Sequence, residues 1–134
     1  MIENKISHIQ QRLRVAKQYQ EYPISVLEGD PIKRSAVERE LYIIAQAVID
    51  LAEAMVAFKK FRKPTTMREA IEILGEEKVL PKEFVADFIK IVGFRNALAH
   101  DYEDLRLEVV YDVLQHKLPQ VQLFLKYIQK VIKG

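Results

Sequence analysis

Along most of the chain apolar residues recur at alternating spacings of three and four, the period of amphipathic helices, and no run of alternating β-branched residues competes with it. In a first segment, about residues 2 to 20, Ile2, Ile6, Ile9, Leu13 and Ala16 form one stripe, which Pro23 and the turn Gly29-Asp30-Pro31 bring to an end. A second helix, about 32 to 62, carries Val37, Leu41, Ile44, Val48, Leu51, Met55 and Phe58 on the same rhythm. A second stripe, Tyr42, Ala45, Ile49, Ala52 and Val56, runs beside the first and leaves only the narrow polar strip of Gln46, Asp50 and Glu53. A helix apolar on two adjacent faces has to bury both, so it is either the centre of the fold or the interface of a dimer.

A third, short helix begins at Thr66, whose spacing to Glu69 is that of a capping box, and runs through Ala70, Ile71 and Leu74 to a Gly75 C-cap. Pro81 suits the first turn of a fourth helix, with Phe84, Phe88, Ile91 and Val92 on its inner face. That helix leads into Gly93-Phe94-Arg95-Asn96-Ala97-Leu98-Ala99-His100-Asp101-Tyr102. Apolar residues at 105, 109, 110, 113 and 114 predict a fifth helix, broken near Leu118-Pro119, and Val121, Leu125, Ile128 and Ile132 a last one. The expectation is an all-α protein, an up-and-down bundle of five or six helices forming a single domain over residues 1–134.

Composition narrows the chemistry. The 134 residues include no cysteine, which excludes thiolate zinc sites, iron–sulfur clusters, disulfides and cysteine nucleophiles, and the three histidines, at 8, 100 and 116, leave little for a metal centre. Four scattered glycines build no phosphate-cradling loop. With 21 basic and 19 acidic residues the net charge is +2, so any nucleic acid is held at a local site and not along a broad cationic face. Met1-Ile2-Glu3-Asn4-Lys5 does not open a signal peptide, and a cytoplasmic location is expected. The most apolar window, Leu41 to Phe58, contains Gln46, Asp50 and Glu53, and each carboxylate at mid-membrane costs roughly 2.5–3.5 kcal/mol, so no membrane span is expected.

The segment able to carry chemistry ends the fourth helix. Arg95 precedes His100 by five positions, Asn96 lies one turn before His100 on the same face, and Tyr102 follows two residues later. An Arg–His spacing alone arises readily by chance, and a structural reading of the same residues pairs Arg95 with a carboxylate such as Asp101, lets His100 cap the helix and packs Tyr102 as an aromatic. The full octapeptide Arg95-Asn96-Ala97-Leu98-Ala99-His100-Asp101-Tyr102 is more specific and resembles the Arg-x4-His-x-Tyr signature of HEPN ribonucleases, the HepT-like toxins in particular. The likeness extends to the long second helix, the Met67 to Leu74 helix, the proline ahead of the motif helix and Leu118-Pro119 before the last one.

That resemblance implies an all-α homodimer that cuts RNA without a metal or other cofactor and is paired with a minimal nucleotidyltransferase antitoxin. It implies catalytic roles for Arg95 and His100, and makes Tyr102 the hydroxyl that receives AMP and so silences the toxin. The residues suit such chemistry: His100 can move a proton as base or acid, Arg95 can carry phosphorane charge, and the Asn96 amide can orient phosphate or imidazole. One histidine does not readily serve as both acid and base, whereas a two-fold dimer brings a second Arg95 and His100 to the same cleft. The substrate expected is single-stranded RNA, tRNA included. The alternative is a helical module without catalysis, which docks a nucleotidyltransferase and helps form a nucleotide pocket.

The remaining polar features have plainer readings. Lys59-Lys60-Phe61-Arg62-Lys63 complements the dipole at the end of the second helix or contacts RNA. Asp50 and Glu53 form a solvated strip or hold Arg95 or His100 from behind. His8 and His116 are ordinary surface or interface histidines, and no metal site is expected.

Overall fold

A computed structural model describes residues 1–100 and 105–133. The helices are α1 (Ile2–Gln18), α2 (Ile24–Gly29), α3 (Pro31–Phe58), α4 (Met67–Glu76), α5 (Lys82–Phe88), α6 (Lys90–His100), α7 (Leu107–Asp112) and α8 (Leu118–Lys133). No strand occurs among the described residues. With α5–α6 and α7–α8 each taken as one bent rod, six rods remain among the described residues. α2 was not visible in the hydrophobic pattern because only Leu27 in it is buried.

Helix α3 is the centre around which α1, α2, α4 and α6 pack. Both of its apolar stripes are consumed within one chain: Val37, Leu41, Ile44, Val48, Leu51 and Met55 are buried, as are Ala45, Ile49, Ala52 and Val56. Phe58, 61% exposed, and the half-buried Tyr42 fall outside the core. Of the two readings of this helix, burial at the centre of the fold is therefore the one that holds. Its start is fixed by Asp30, whose carboxylate accepts hydrogen bonds from the Ile32 and Lys33 amides at 3.1 Å, with Pro31 in the first turn.

The end of α3 comes four residues earlier than the periodicity suggests. Lys60 takes a left-handed backbone (φ 58°), which turns the chain before the basic run is complete. Arg62 then reaches α4 and pairs with Glu76 at 2.7 Å and Glu69 at 3.3 Å. Its cation ties the loop to α4 instead of serving the dipole of α3.

Helix α4 opens as expected, with the Thr66 hydroxyl accepting from the Glu69 amide at 3.0 Å; the Glu69 carboxylate returns to the Thr65 amide at 2.9 Å, one residue earlier than in a strict capping box. Gly75 is not the C-cap. It lies within α4, and the left-handed residue that turns the chain is Lys78 (φ 62°). The value of glycine at 75 is close approach: a Cβ there would stand 2.9 Å from Cγ2 of Val85 on α5.

Pro81 precedes the first residue of α5. At Ile89 the expected fourth helix bends, where the Val92 amide bonds back to the Ile89 carbonyl at 3.2 Å in a tighter turn, and the chain continues as α6. Phe84 and Phe88 of α5 stack at 4.8 Å, and Phe88 stacks on Phe124 of α8 at 5.0 Å, so α5 is locked to the last helix. The expected break at Leu118-Pro119 is instead a π-turn over Val113–Lys117 between α7 and α8. Pro119 lacks an amide hydrogen and its ring clashes with the carbonyl one turn back; the wider turn ahead of it accommodates both without ending the helix.

One apolar cluster runs through all of these helices. At residue 105 the chain is pinned to α3: the Arg34 guanidinium donates to the Leu105 carbonyl at 2.9 Å while pairing with the buried Glu38 at 3.0 Å.

Because Val is stiff at χ1, the Val85 methyl cannot swing clear of an added carbon. Gly75→Ala is expected to destabilise the protein by about 1–3 kcal/mol through overpacking, whereas Gly93→Ala, which meets nothing within 4 Å inside α6, stabilises the isolated chain by up to about 1 kcal/mol. Urea denaturation of the two variants checks the opposite signs.

Candidate active site

Helix α6 presents Arg95 to the polar strip of α3. Positions 42, 46 and 50 are each one turn apart, so Tyr42, Gln46 and Asp50 stand in a row. Arg95 lies over this row. Its Nε donates to Gln46 Oε1 at 2.6 Å, the Gln46 amide nitrogen donates to Asp50 Oδ1 at 2.9 Å, and the guanidinium carbon sits 5.6 Å from the centre of the Tyr42 ring. A second guanidinium nitrogen, Nη1, donates to Asn96 Oδ1 at 3.0 Å. All of these groups are part-buried.

Two consequences follow for Arg95. Of the five N–H donors of a guanidinium, two are engaged by Gln46 and Asn96, and no other described residue takes the remaining three. Among the described residues no carboxylate forms an ion pair with it. Asp50 stands behind Gln46, one amide removed. The result is a cation held in place by neutral oxygens and a ring face, with its charge uncancelled by those contacts.

His100 is exposed in the last turn of α6. At about 100° per residue, Asn96 and His100 lie about 40° apart around the helix axis, and Arg95 and His100 about 140°. The same-face relation of Asn96 and His100 therefore holds, whereas Arg95 and His100 flank the helix and make no direct hydrogen bond. Asn96 spends its carbonyl oxygen on Arg95, which leaves its NH2 as the group able to meet a ligand. Asp101 and Tyr102 lie outside the described residues. The structural reading, in which Asp101 pairs with Arg95 and Tyr102 packs as an aromatic, turns on those same two residues, while the exposed His100 in the last turn is compatible with it.

Asp50 and Glu53 divide in role. Asp50 supports Arg95 through Gln46, while Glu53 is exposed and touches neither motif residue. Partial desolvation, with the neighbouring Asp50 charge adding to it, raises the Glu53 carboxyl above its ordinary range. His8 and His116 are exposed, and among the described residues no group of three or more histidine and carboxylate side chains could hold a metal ion.

Gln46 and Tyr42 were not singled out by sequence reasoning, because each passes for filler, one in a polar strip and one in an apolar stripe. The signal that could have found them is the i, i+4 ladder of Tyr42, Gln46 and Asp50 on an otherwise buried helix, since a buried polar row needs a polar partner. Beside this row, Ile91, Phe94 and Ala97 of α6 line an apolar groove of about 550 Å³ together with Leu41, Val109 and Val113.

Residues 8–128 match the family described as ribonuclease HepT-like. The mRNA nuclease HepT of Shewanella oneidensis is 27% identical over 105 residues, covering 78% of this chain and 79% of that protein. The tRNA nuclease HepT of Aphanizomenon flos-aquae is 26% identical over 132 residues, covering 98% and 90%. A solved structure of the tri-AMPylated Shewanella oneidensis HEPN toxin in complex with MNT antitoxin superposes with a TM-score of 0.87 at 26% identity and covers 96% of each chain.

A carboxyl whose folded-state pKa is raised contributes stability that is present below its unfolded pKa and is lost as pH rises through the folded value. Glu53→Gln is therefore expected to raise the melting temperature at pH 7, with the gain vanishing as pH falls below the ordinary glutamate value of about 4.3. Thermal unfolding of both proteins across that range checks the sign.

Proposed function

The chain belongs to the ribonuclease HepT-like family, and from that premise we propose that it is the toxin of a toxin–antitoxin pair, a metal-independent endoribonuclease acting through Arg95 and His100. The observation that carries this reading is the state of Arg95: fixed by Gln46, Asn96 and Tyr42, unpaired with any described carboxylate, and on the same short helix as an exposed histidine. A purely structural arginine in a part-buried position is ordinarily matched with a carboxylate.

In the proposed reaction the ribose 2′-oxygen attacks the adjacent phosphorus as a histidine base takes its proton. The phosphorus–O5′ bond breaks, the leaving oxygen receives a proton from a second group, and a 2′,3′-cyclic phosphate and a 5′-hydroxyl result. Arg95 stabilises the extra charge on the non-bridging oxygens with its unengaged N–H groups, and the Asn96 NH2 orients phosphate or imidazole. The wide angle between Arg95 and His100 around α6 favours a cleft completed by a second copy, whose His100 supplies the other proton transfer. The apolar groove beside Phe94 and Ala97 is surface that such a homodimer would cover.

Single-stranded RNA, tRNA included, is the substrate class of this reading, and the cytoplasm its location. The partner is a minimal nucleotidyltransferase antitoxin that moves AMP from ATP to the Tyr102 hydroxyl with release of pyrophosphate. An added phosphodiester near Arg95 would then compete with RNA phosphate by occupancy and charge. The antitoxin complex and AMP adducts of the Shewanella oneidensis toxin support this part of the reading.

Controlled expression of the chain is expected to arrest growth and degrade RNA, and His100→Ala to abolish both; a His100→Ala protein as active as the parent contradicts the assignment. Coexpression with its cognate nucleotidyltransferase antitoxin is expected to raise the intact mass by multiples of AMP, and Tyr102→Phe to remove the shift. An adduct that persists in Tyr102→Phe places the modification elsewhere.

A further inference from the structure

The contact between Arg95 and α3 has a specific chemical character. A glutamate at position 46 could accept the same hydrogen bond from Arg95 Nε and would form an ion pair with it, the common way to hold a part-buried guanidinium. The residue is instead glutamine, and the nearest acid of the row, Asp50, bonds to the far end of that amide. An amide is ambiguous: turned over, its NH2 would face the guanidinium, donor against donor. The Asp50 carboxylate accepts only, so it requires the NH2 at its own end and thereby presents the Gln46 oxygen to Arg95.

From this arrangement we infer that Gln46 is a positioning residue for the proposed nuclease reaction, a neutral clamp that fixes the Arg95 guanidinium while leaving its charge available to RNA phosphate, with Asp50 setting the direction of the clamp. Tyr42 supports the same cation through its ring face, again without cancelling the charge. The inference deepens the ribonuclease reading and rests on it for the identity of the substrate.

A cation placed to meet phosphorane charge does two separable things: its position acts in the transition state, and its charge also attracts the ground-state phosphate. The clamp assigns the first to the hydrogen bond from Arg95 to residue 46 and the second to the neutrality of that residue. The two are tested apart by three variants of the full-length chain.

Gln46→Leu removes the acceptor and keeps an apolar filler. It is expected to lower kcat for a defined single-stranded RNA by up to about a hundred-fold, the scale of a displaced catalytic group, with KM little changed. The double exchange of Gln46→Glu with Asp50→Asn keeps an acceptor for Arg95 and a donor behind it, and keeps the net charge, but moves the carboxylate against the guanidinium. It is expected to raise KM and to reduce the salt dependence of RNA binding by about one phosphate contact. Asp50→Leu frees the amide to turn over and is expected to fall between Gln46→Leu and the parent in kcat.

The readout independent of catalysis is the Arg95 Nε–H resonance in NMR, assigned by its loss in Arg95→Lys. It is expected to be protected from solvent exchange in the parent and in the double exchange, and unprotected in Gln46→Leu. Protection undiminished in Gln46→Leu overturns the clamp whether or not RNA is cut. A double exchange that binds RNA with the parent's KM and salt dependence overturns the role given to neutrality. Failure of the parent to cleave RNA, with the resonance protected as described, counts against the ribonuclease reading alone.

Discussion

Arg95 reaches from α6 to the polar strip of α3, and its hydrogen bond to Gln46 joins the only face of the central helix that the core does not cover. Helix α3 is buried along two adjacent stripes, so the strip of Gln46, Asp50 and Glu53 is where it can offer polar contacts to a neighbour. A guanidinium brought into a part-buried place must be satisfied there or lose its hydration without return. Gln46, Asn96 and Tyr42 satisfy it in part, and Asp50 supports Gln46 from behind. The position of α6, and with it the placing of Asn96 and His100, is coupled to that contact.

The rest of the fold acts on the same helix. The bend at Ile89 turns α6 away from the line of α5, while the aromatic stack from Phe84 through Phe88 to Phe124 holds α5 against α8. Beyond residue 104, Arg34 holds Leu105 to α3. The described residues on either side of 101–104 are thus anchored to one central helix, through Arg95 to Gln46 and through Leu105 to Arg34. The near-neutral composition, which argues against a broad cationic face, agrees with a site built on a single cation, Arg95, that no described carboxylate pairs with.

Most of the helical order was legible in the sequence because burial on one or two stripes leaves a period, and α1, α3, α4 and α8 each carry one. The parts that were not legible are those where local geometry overrides the period. Lys60 turns the chain within a helix that reads as running to about residue 62, Ile89 bends a run that reads as one helix, and a π-turn carries the chain through Pro119 where a break is expected. Gly75 reads as a terminator because glycine commonly is one, while its actual constraint, the Val85 side chain, is a tertiary contact that no local pattern records. In the site, the octapeptide marks Arg95, Asn96 and His100, but the partners of Arg95 lie 49 positions away in the case of Gln46 and have no signature beyond their spacing on α3.

In the proposed reaction the pair Arg95 and His100 breaks an RNA phosphodiester by attack of the 2′-oxygen, with no metal ion in the step. The most direct test is incubation of the purified, unmodified protein with a defined single-stranded RNA in excess EDTA, followed by analysis of both new ends. Cleavage undiminished by the chelator is expected, with a 2′,3′-cyclic phosphate on one fragment and a 5′-hydroxyl on the other. Products ending in a 3′-hydroxyl and a 5′-phosphate, or cleavage that appears only when a divalent metal is restored, would contradict it.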